Sequence, residues 1–432
     1  MSIFKKKKKN RVCVIGLDGV PFGLLLDLAG KGVLSALGRI IDSGHLHKMK
    51  ASLPEISSVS WTNFMTGTNP GMHGIFGFTD LKPRTYDLRF PNFLDVKTPT
   101  FWDTLGEKGK QSIIINQPST YPARKINGAL LSGFVAVDLA KAVYPPTHKA
   151  TLEQMGYQID IDTLKARENP AVLWHELDKT LVGRQKALNL FWEEDWDYFE
   201  FVITGTDRLH HFLWDAYENP DHPHHQNFLE YYRQLDRLLN KIYTSFRKDI
   251  GDEESIFFLS DHGFTGIKRE VHLNAWLEKE KYLKYSTSNP EKLGDISPKS
   301  VAFALDPNRI YLHYKNKYPN GCVRAAEAKA LKEEISRGLA KLAFEGQTVV
   351  RKVFDAKEIY SGPLTSHGPD LIVLGEPGFD MKGSIRKREI FGRSPGLQGM
   401  HTWDDAFFLA KNDFGDNLSI SDIAGIIVDR FS

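Results

Sequence analysis

Phe257-Phe-Leu-Ser-Asp-His-Gly263 joins an apolar run directly to a carboxylate and an imidazole. Phe257, Phe258 and Leu259 read as the end of a buried strand, and Gly263 is expected to turn the backbone just beyond it. Asp261 and His262 at the mouth of a parallel strand offer O and N donors of the kind a divalent metal takes. Alone, Asp-His-Gly is as good a polar turn as a ligand motif. Its weight comes from recurrence along the chain.

Val12-Cys-Val-Ile-Gly-Leu17 is a second apolar run, rich in β-branched residues, and it ends in Asp18-Gly19. Tyr198-Phe-Glu-Phe-Val-Ile203 is a third, emptying into Thr204-Gly-Thr-Asp-Arg-Leu-His-His211. Asp207 and His211 are four residues apart, so one helical turn places both side chains on the same face, while His210 points elsewhere. Gly399-Met-His401 reads as a loop histidine ahead of a strand at 404–410. Asp18 could equally be a helix N-cap. Alternating strands and helices predict an α/β fold, a doubly wound, mostly parallel central sheet with helices on both faces. In such a sheet the C-terminal strand ends share one ligand-binding edge.

A serine belongs to the same constellation. In Pro54-Glu-Ile-Ser-Ser-Val-Ser-Trp61, Ser57 or Ser58 precedes a segment with helical spacing at Trp61, Phe64 and Met65. Free N–H groups at a helix start favour an alkoxide or a phosphate, although serine is also a common cap. Further helices are expected at 22–43, with a break near Gly30-Lys31-Gly32, at 173–192, at 227–246, at 273–280 and, exposed, at 324–342. Residues 112–116 and 370–374 read as strands.

Composition narrows the field. The 432 residues include 41% hydrophobic side chains, with 27 Phe, 15 Tyr and 8 Trp, enough for a large core. A formal net charge of +2 gives no case for specific nucleic-acid binding. Cys13 and Cys322 form no CxxC pair, which fits a reducing compartment. Lys5–Lys9 resemble the start of a signal peptide, but Val12–Leu17 is too short for its apolar region, and no stretch approaches a membrane span. The expectation is a cytoplasmic protein with a basic tail at 1–10 and one domain at 11–432, less regular on the substrate side at about 80–200 and 275–395. A membrane-surface adaptor is the reading that rests on the lysine run alone.

With these stretches assembled, the chain resembles the alkaline phosphatase superfamily, and most closely its type I phosphodiesterase/nucleotide pyrophosphatase branch. Thr66-Gly-Thr-Asn-Pro-Gly-Met-His-Gly74, Thr206-Asp-Arg-Leu-His-His211 and Ser260-Asp-His-Gly-Phe264 carry the resemblance, supported by Asn116-Gln-Pro-Ser-Thr-Tyr-Pro122 and Leu131-Ser-Gly-Phe134. It implies one metal held by Asp207, His211 and His401, and another by Asp18, Asp261, His262 and the nucleophile oxygen. The nucleophile position falls on Ser57, with Ser58 and Ser60 as neighbours onto which the alignment could slip. Two divalent ions about 4 Å apart are the expected arrangement, Zn²⁺ first and Mn²⁺ second. The resemblance implies a serine-based phosphodiesterase/pyrophosphatase acting on a small phosphate ester. Phosphomonoesterase, phosphomutase and non-catalytic metal-binding homologue are the alternatives. His73-Gly-Ile-Phe-Gly-Phe78 lacks the phosphate-binding Asn that nucleotide pyrophosphatases carry there, which departs from a nucleotide substrate. Neither cysteine sits in the Cys-x-Pro-x-Arg context of a sulfatase.

Overall fold

Val12–Leu17 is six buried residues in a row, as a strand covered on both faces requires. It is β1 of a nine-stranded sheet in the computed structural model, which describes residues 10–394 and 396–432. The other strands are β2 (His45–Lys50), β3 (Ser112–Ile115), β4 (Gly128–Leu131), β5 (Val143–Tyr144), β6 (Tyr198–Ile203), β7 (Ile256–Leu259), β8 (Ala406–Ala410) and β9 (Leu418–Ser419). Their spatial order is β9-β2-β8-β7-β1-β6-β3-β4-β5. The five strands from β7 to β4 run parallel. β8 runs antiparallel to both its neighbours, and β5 closes the far edge antiparallel to β4.

Alternate residues of β1 feed two cores. Cys13, Ile15 and Leu17 face one layer and Val12 and Val14 the other. The main helices are α1 (Phe22–Gly30), α2 (Ser35–Ser43), α3 (Ser57–Thr66), α4 (Pro170–Trp192), α5 (Gly205–Glu218) and α6 (His225–Asp249). α3 packs on the Val12 side and the other five on the Ile15 side, so the sheet is covered on both faces. This is the mixed, mostly parallel α/β architecture expected from the strand and helix pattern.

Four local expectations are corrected. His401 does not sit in a loop: Gly399–Thr402 is a strand paired antiparallel with Gly263–Gly266, with His401 opposite Phe264. Gly263 accordingly starts a strand rather than a turn, and it is glycine because a Cβ there would lie 2.4 Å from Thr402 Oγ1. Ser57 is the first residue of α3 rather than its cap; Ile56 holds the cap position, with no side-chain cap bond. Asp18 caps nothing either, since α1 starts after Pro21.

The stretch at 275–395 is more regular than its sequence pattern. Ala302–Leu305, Arg309–Leu312, Leu371–Gly375 and Val350–Asp355 form a second sheet, antiparallel throughout, with its own core around Phe303, Leu312 and Val373. Strands of four to six residues leave little periodicity to read. The exposed helix expected at 324–342 is shorter, Ala328–Leu339, and buries Ile335 and Leu339 against this core. Among the described residues no helix is long and apolar enough to cross a membrane. Lys5–Lys9 lie outside the described residues.

Candidate active site

The topology brings the chemistry to one edge. β1, β6 and β7 end together there, delivering Asp18, the start of α5 and Asp261-His262. β8 runs the other way, so the residues just ahead of it, including His401, arrive at the same edge. α3 begins beside it with Ser57.

Two groups of potential ligands result. Asp18, Asp261 and His262 form one, and Asp207, His211 and His401 the other; within each, one donor atom per residue lies within 4.8 Å of the rest. In the first group His262 Nε2 is 3.3 Å from Asp261 Oδ2 and 3.7 Å from Asp18 Oδ1. In the second, Asp207 Oδ1 is 3.4 Å from His211 Nε2 and 3.3 Å from His401 Nε2. The His262 and His401 rings stack with centroids 3.7 Å apart and join the two groups.

Ser57 Oγ stands over the first group, donating to Asp18 Oδ1 at 3.3 Å and lying 3.1 Å from His262 Nε2. Ser58 Oγ has no hydrogen-bond partner and lines a neighbouring cleft, and Ser60 Oγ is tied to Ser52 at 2.8 Å. Of the three serines, the structure brings Ser57 into the group.

The donor set fits divalent cations on its own chemistry. Nδ1 of His211, His262 and His401 faces the carbonyl oxygens of Gly399, Gly263 and Glu55 at 3.1, 3.0 and 2.9 Å. A carbonyl can only accept, so each Nδ1 carries the proton and each neutral ring aims an Nε2 lone pair into the site. His211 Nε2 and His401 Nε2 are 3.0 Å apart, and Asp207 Oδ1 and Asp261 Oδ2 accept no hydrogen bond. Lone pairs so crowded call for positive charge among them.

The titration behaviour states the same need. Burial, then the charges of Asp261 and Asp207, pushes Asp18 well above the usual carboxylate range; burial raises Asp261 to about 7. Burial lowers His211 to about 4 and drives His262 well below its ordinary value. Burial works against ionisation at Asp207 as well, but His211, Arg208 and His401 outweigh it and hold that carboxyl well down. At His401 the adjacent Asp207 carboxylate overcomes burial and raises the imidazole. A proton drawn onto His401 answers the electrostatics that a cation would answer more fully.

Several further residues support the site. Trp61 Nε1 donates to Asp18 Oδ2 at 3.2 Å; its position one turn after Ser57 on α3 was the available clue. Thr206 Oγ1 donates to the Asp18 carbonyl at 2.6 Å. Arg208 donates to Asp207 Oδ2 at 3.0 Å and to Asp160 Oδ2 at 2.6 Å, with its guanidinium 4.3 Å from the Phe134 ring centroid. Asp160 lies between Ile159 and Ile161, where nothing marks it. His210 is a core residue, bonded to the Gly19 carbonyl at 2.8 Å and to the Tyr232 hydroxyl at 2.7 Å. His73 is likewise structural, held by Asn63 Oδ1 at 2.8 Å.

Two clefts flank the edge. One, of about 490 Å³, runs from Ser58 along Ile75, Phe78, Phe90 and Phe134 and is predominantly apolar. The other, of about 250 Å³, opens beside His211 and His401 and is lined by Glu55, Asp380 and Lys382. Phe78 belongs to the wall of both.

Comparison with known proteins accords with this arrangement. The chain is similar in structure to phosphonoacetate hydrolase from Sinorhizobium meliloti 1021 in complex with phosphonoacetate, with a TM-score of 0.65, 17% identity, and 98% of this chain and 96% of that chain covered. It is similar, more distantly, to murine ectonucleotide pyrophosphatase/phosphodiesterase 5 in complex with AMP, with a TM-score of 0.54, 12% identity, and coverage of 98% and 94%. No curated protein matches the sequence significantly. The family model described as "Type I phosphodiesterase / nucleotide pyrophosphatase" matches residues 12–404, nearly the whole chain. The chain therefore belongs to the type I phosphodiesterase/nucleotide pyrophosphatase family, phosphoryl-transfer hydrolases of the alkaline phosphatase superfamily.

Proposed function

We propose that this protein is a metal-dependent phosphodiesterase in which Ser57 is the nucleophile. Asp18, Asp261 and His262, with Ser57 Oγ, would hold one divalent cation, and Asp207, His211 and His401 the other. The observation that carries the reading is the set of inward Nε2 lone pairs and unpaired carboxylate oxygens gathered around a serine hydroxyl. Mixed oxygen and nitrogen donors suit Zn²⁺ before Mn²⁺. When bound, the two cations would acidify the serine hydroxyl and neutralise charge building on the phosphoryl oxygens.

The protein's own contribution is positional. Asp18 Oδ1 accepts the Ser57 hydroxyl and Trp61 fixes the other Asp18 oxygen, so the nucleophile has one orientation. Ser57 Oγ attacks phosphorus, the ester P–O bond breaks, and the alcohol leaves. Water then hydrolyses the phosphoserine and restores the hydroxyl. Arg208, locked by Asp160, holds Asp207 in place.

A diester is favoured over a monoester because two clefts of different character adjoin the serine. The larger one suits an organic substituent, and the smaller one, which carries Glu55, Asp380 and Lys382 among apolar neighbours, suits a second arm. The test is hydrolysis of a chromogenic diester against the matching monoester, in Zn²⁺, in Mn²⁺ and after chelation. The reading expects diester preference that chelation abolishes. Monoester preference would move the enzyme towards the phosphatases, and turnover insensitive to chelation would overturn the metal assignment.

A further inference from the structure

A cavity of about 580 Å³ opens between the 80–89 hairpin and the second sheet, and neither Ser57 nor any residue of the two ligand groups lines it. Its volume is in the range of small-molecule sites. Its charge is one-sided. Lys82, Arg84, Arg89 and Lys317 face a single carboxylate, Asp80, in a chain whose formal net charge is only +2.

That carboxylate is already taken. Arg89 pairs with Asp80 at 3.0 Å and with Asp95 at 2.9 Å. Lys317 is different: among the described residues it has no carboxylate within ion-pair distance. Its Nζ donates to the Ser366 and Gly368 carbonyls at 3.0 and 3.4 Å and lies 5.8 and 5.6 Å from the ring centroids of Tyr311 and Tyr318. Dipoles and ring faces thus hold an ammonium without neutralising it. Lys82 and Arg84 sit exposed on the rim, likewise without an ion-pair partner among the described residues. Three cations without a contact ion pair among the described residues converge on one cavity, where Asp370 and Asp80 act on Lys317 only from beyond ion-pair distance; together they raise local anion concentration and reward a ligand that meets several of them at once.

We propose that this cavity is a second binding site, separate from the Ser57 edge, for a small molecule bearing two or more phosphate groups. Lys317 anchors the inner phosphate from the cavity wall, and Lys82 and Arg84 close on the outer one from the rim. Neutral or singly charged compounds of the same size gain little there.

Isothermal titration of inorganic tripolyphosphate into the metal-loaded full chain at physiological ionic strength tests this, since both the catalytic edge and the cavity are then available. Lys82→Glu/Arg84→Glu alters only exposed rim positions, and Lys329→Glu/Lys341→Glu makes the same change of net charge on exposed residues elsewhere. The expected result is a binding event weakened at least tenfold in the first double variant, retained in the second, and weakened also by Lys317→Gln, while kcat/KM for the diester stays at the wild-type value in the rim variant. Equal weakening by both double variants would reduce the effect to long-range charge and overturn the site, as would a titration that neither rim nor Lys317 substitution alters. These outcomes are read from binding heat and stand whether or not the diester is turned over.

Discussion

The two ligand groups are built from similar side chains but held in different ways. Asp18, Asp261 and His262 issue from adjacent central strands and are at most 2% exposed. Asp207 and His211 come from a helix and His401 from a two-stranded sheet outside the main one, and His211 and His401 keep 21% and 13% of their side-chain surface. The first group is fixed by the hydrogen-bond ladder of the core; the second depends on packing between separate elements. Under the proposed function, the first half would aim Ser57 and the second, more accessible half would meet substrate and solvent. Tight positioning and access are hard to combine in one set of strands.

Removing the proposed nucleophile is expected to give the largest effect. Ser57→Ala is expected to lower diester turnover by on the order of 10³ or more while leaving metal content unchanged, measured by steady-state kinetics beside elemental analysis. Comparable loss in Ser58→Ala with Ser57→Ala active would move the nucleophile to the cleft serine.

Metal release sharpens the contrast between the groups. With chelator in excess, the ion at Asp207, His211 and His401 is expected to leave first, and His211→Ala to abolish that early phase alone. Asp261→Asn should instead lose the slowly released ion. A single phase in wild type, or loss of the slow phase in His211→Ala, would break the comparison.

The support behind each group predicts smaller changes. Arg208→Ala unpins Asp207 from Asp160, and turnover is expected to fall about tenfold to a hundredfold, the scale usual for residues that orient ligands. Gly263→Ala drives a Cβ to within 2.8 Å of Asp405 Cβ as well as onto Thr402, so the strand carrying His401 must shift. A loss of about 1–3 kcal/mol in denaturant unfolding is expected.

An effect on pH-dependent stability, not on turnover, lies away from both groups. Glu200 is fully buried in β6, where it accepts the Tyr198 hydroxyl at 2.8 Å, and burial raises its carboxyl from an ordinary 4.5 to about 8. Unfolded chains release that proton first, so between about pH 4.5 and 8 the unfolded state binds fewer protons and this residue's contribution to stability falls as pH rises. Glu200→Gln should flatten that decline, by up to ~1.4 kcal/mol per pH unit, in unfolding curves taken at several pH values.

Much of the candidate site was legible because parallel strands buried on both faces write themselves as apolar runs. Val12–Leu17, Tyr198–Ile203 and Phe257–Leu259 announce their ends, and ligands cluster at those ends. The four-residue spacing of Asp207 and His211 needs only a helix, which α5 supplies. What escaped notice depends on pairing between distant segments. His401 looked like a loop residue because its strand of four pairs with the distant strand Gly263–Gly266 rather than with its neighbours in sequence. Gly263 looked like a turn because close approach to Thr402 leaves no trace in local composition. The apolar run at 370–374 marked one strand of the second sheet, but its pairing across an intervening helix was hidden, and Asp160 sits between Ile159 and Ile161 with nothing to mark it.

The central claim is that Ser57 becomes covalently phosphorylated over a pair of cation sites. Acid-quenching the metal-loaded enzyme during diester turnover, followed by peptide mass mapping, tests it most directly. The prediction is a phosphoryl adduct on Ser57 that is absent from chelated enzyme. Rapid turnover in Ser57→Ala, or an adduct that maps to another residue, would contradict it.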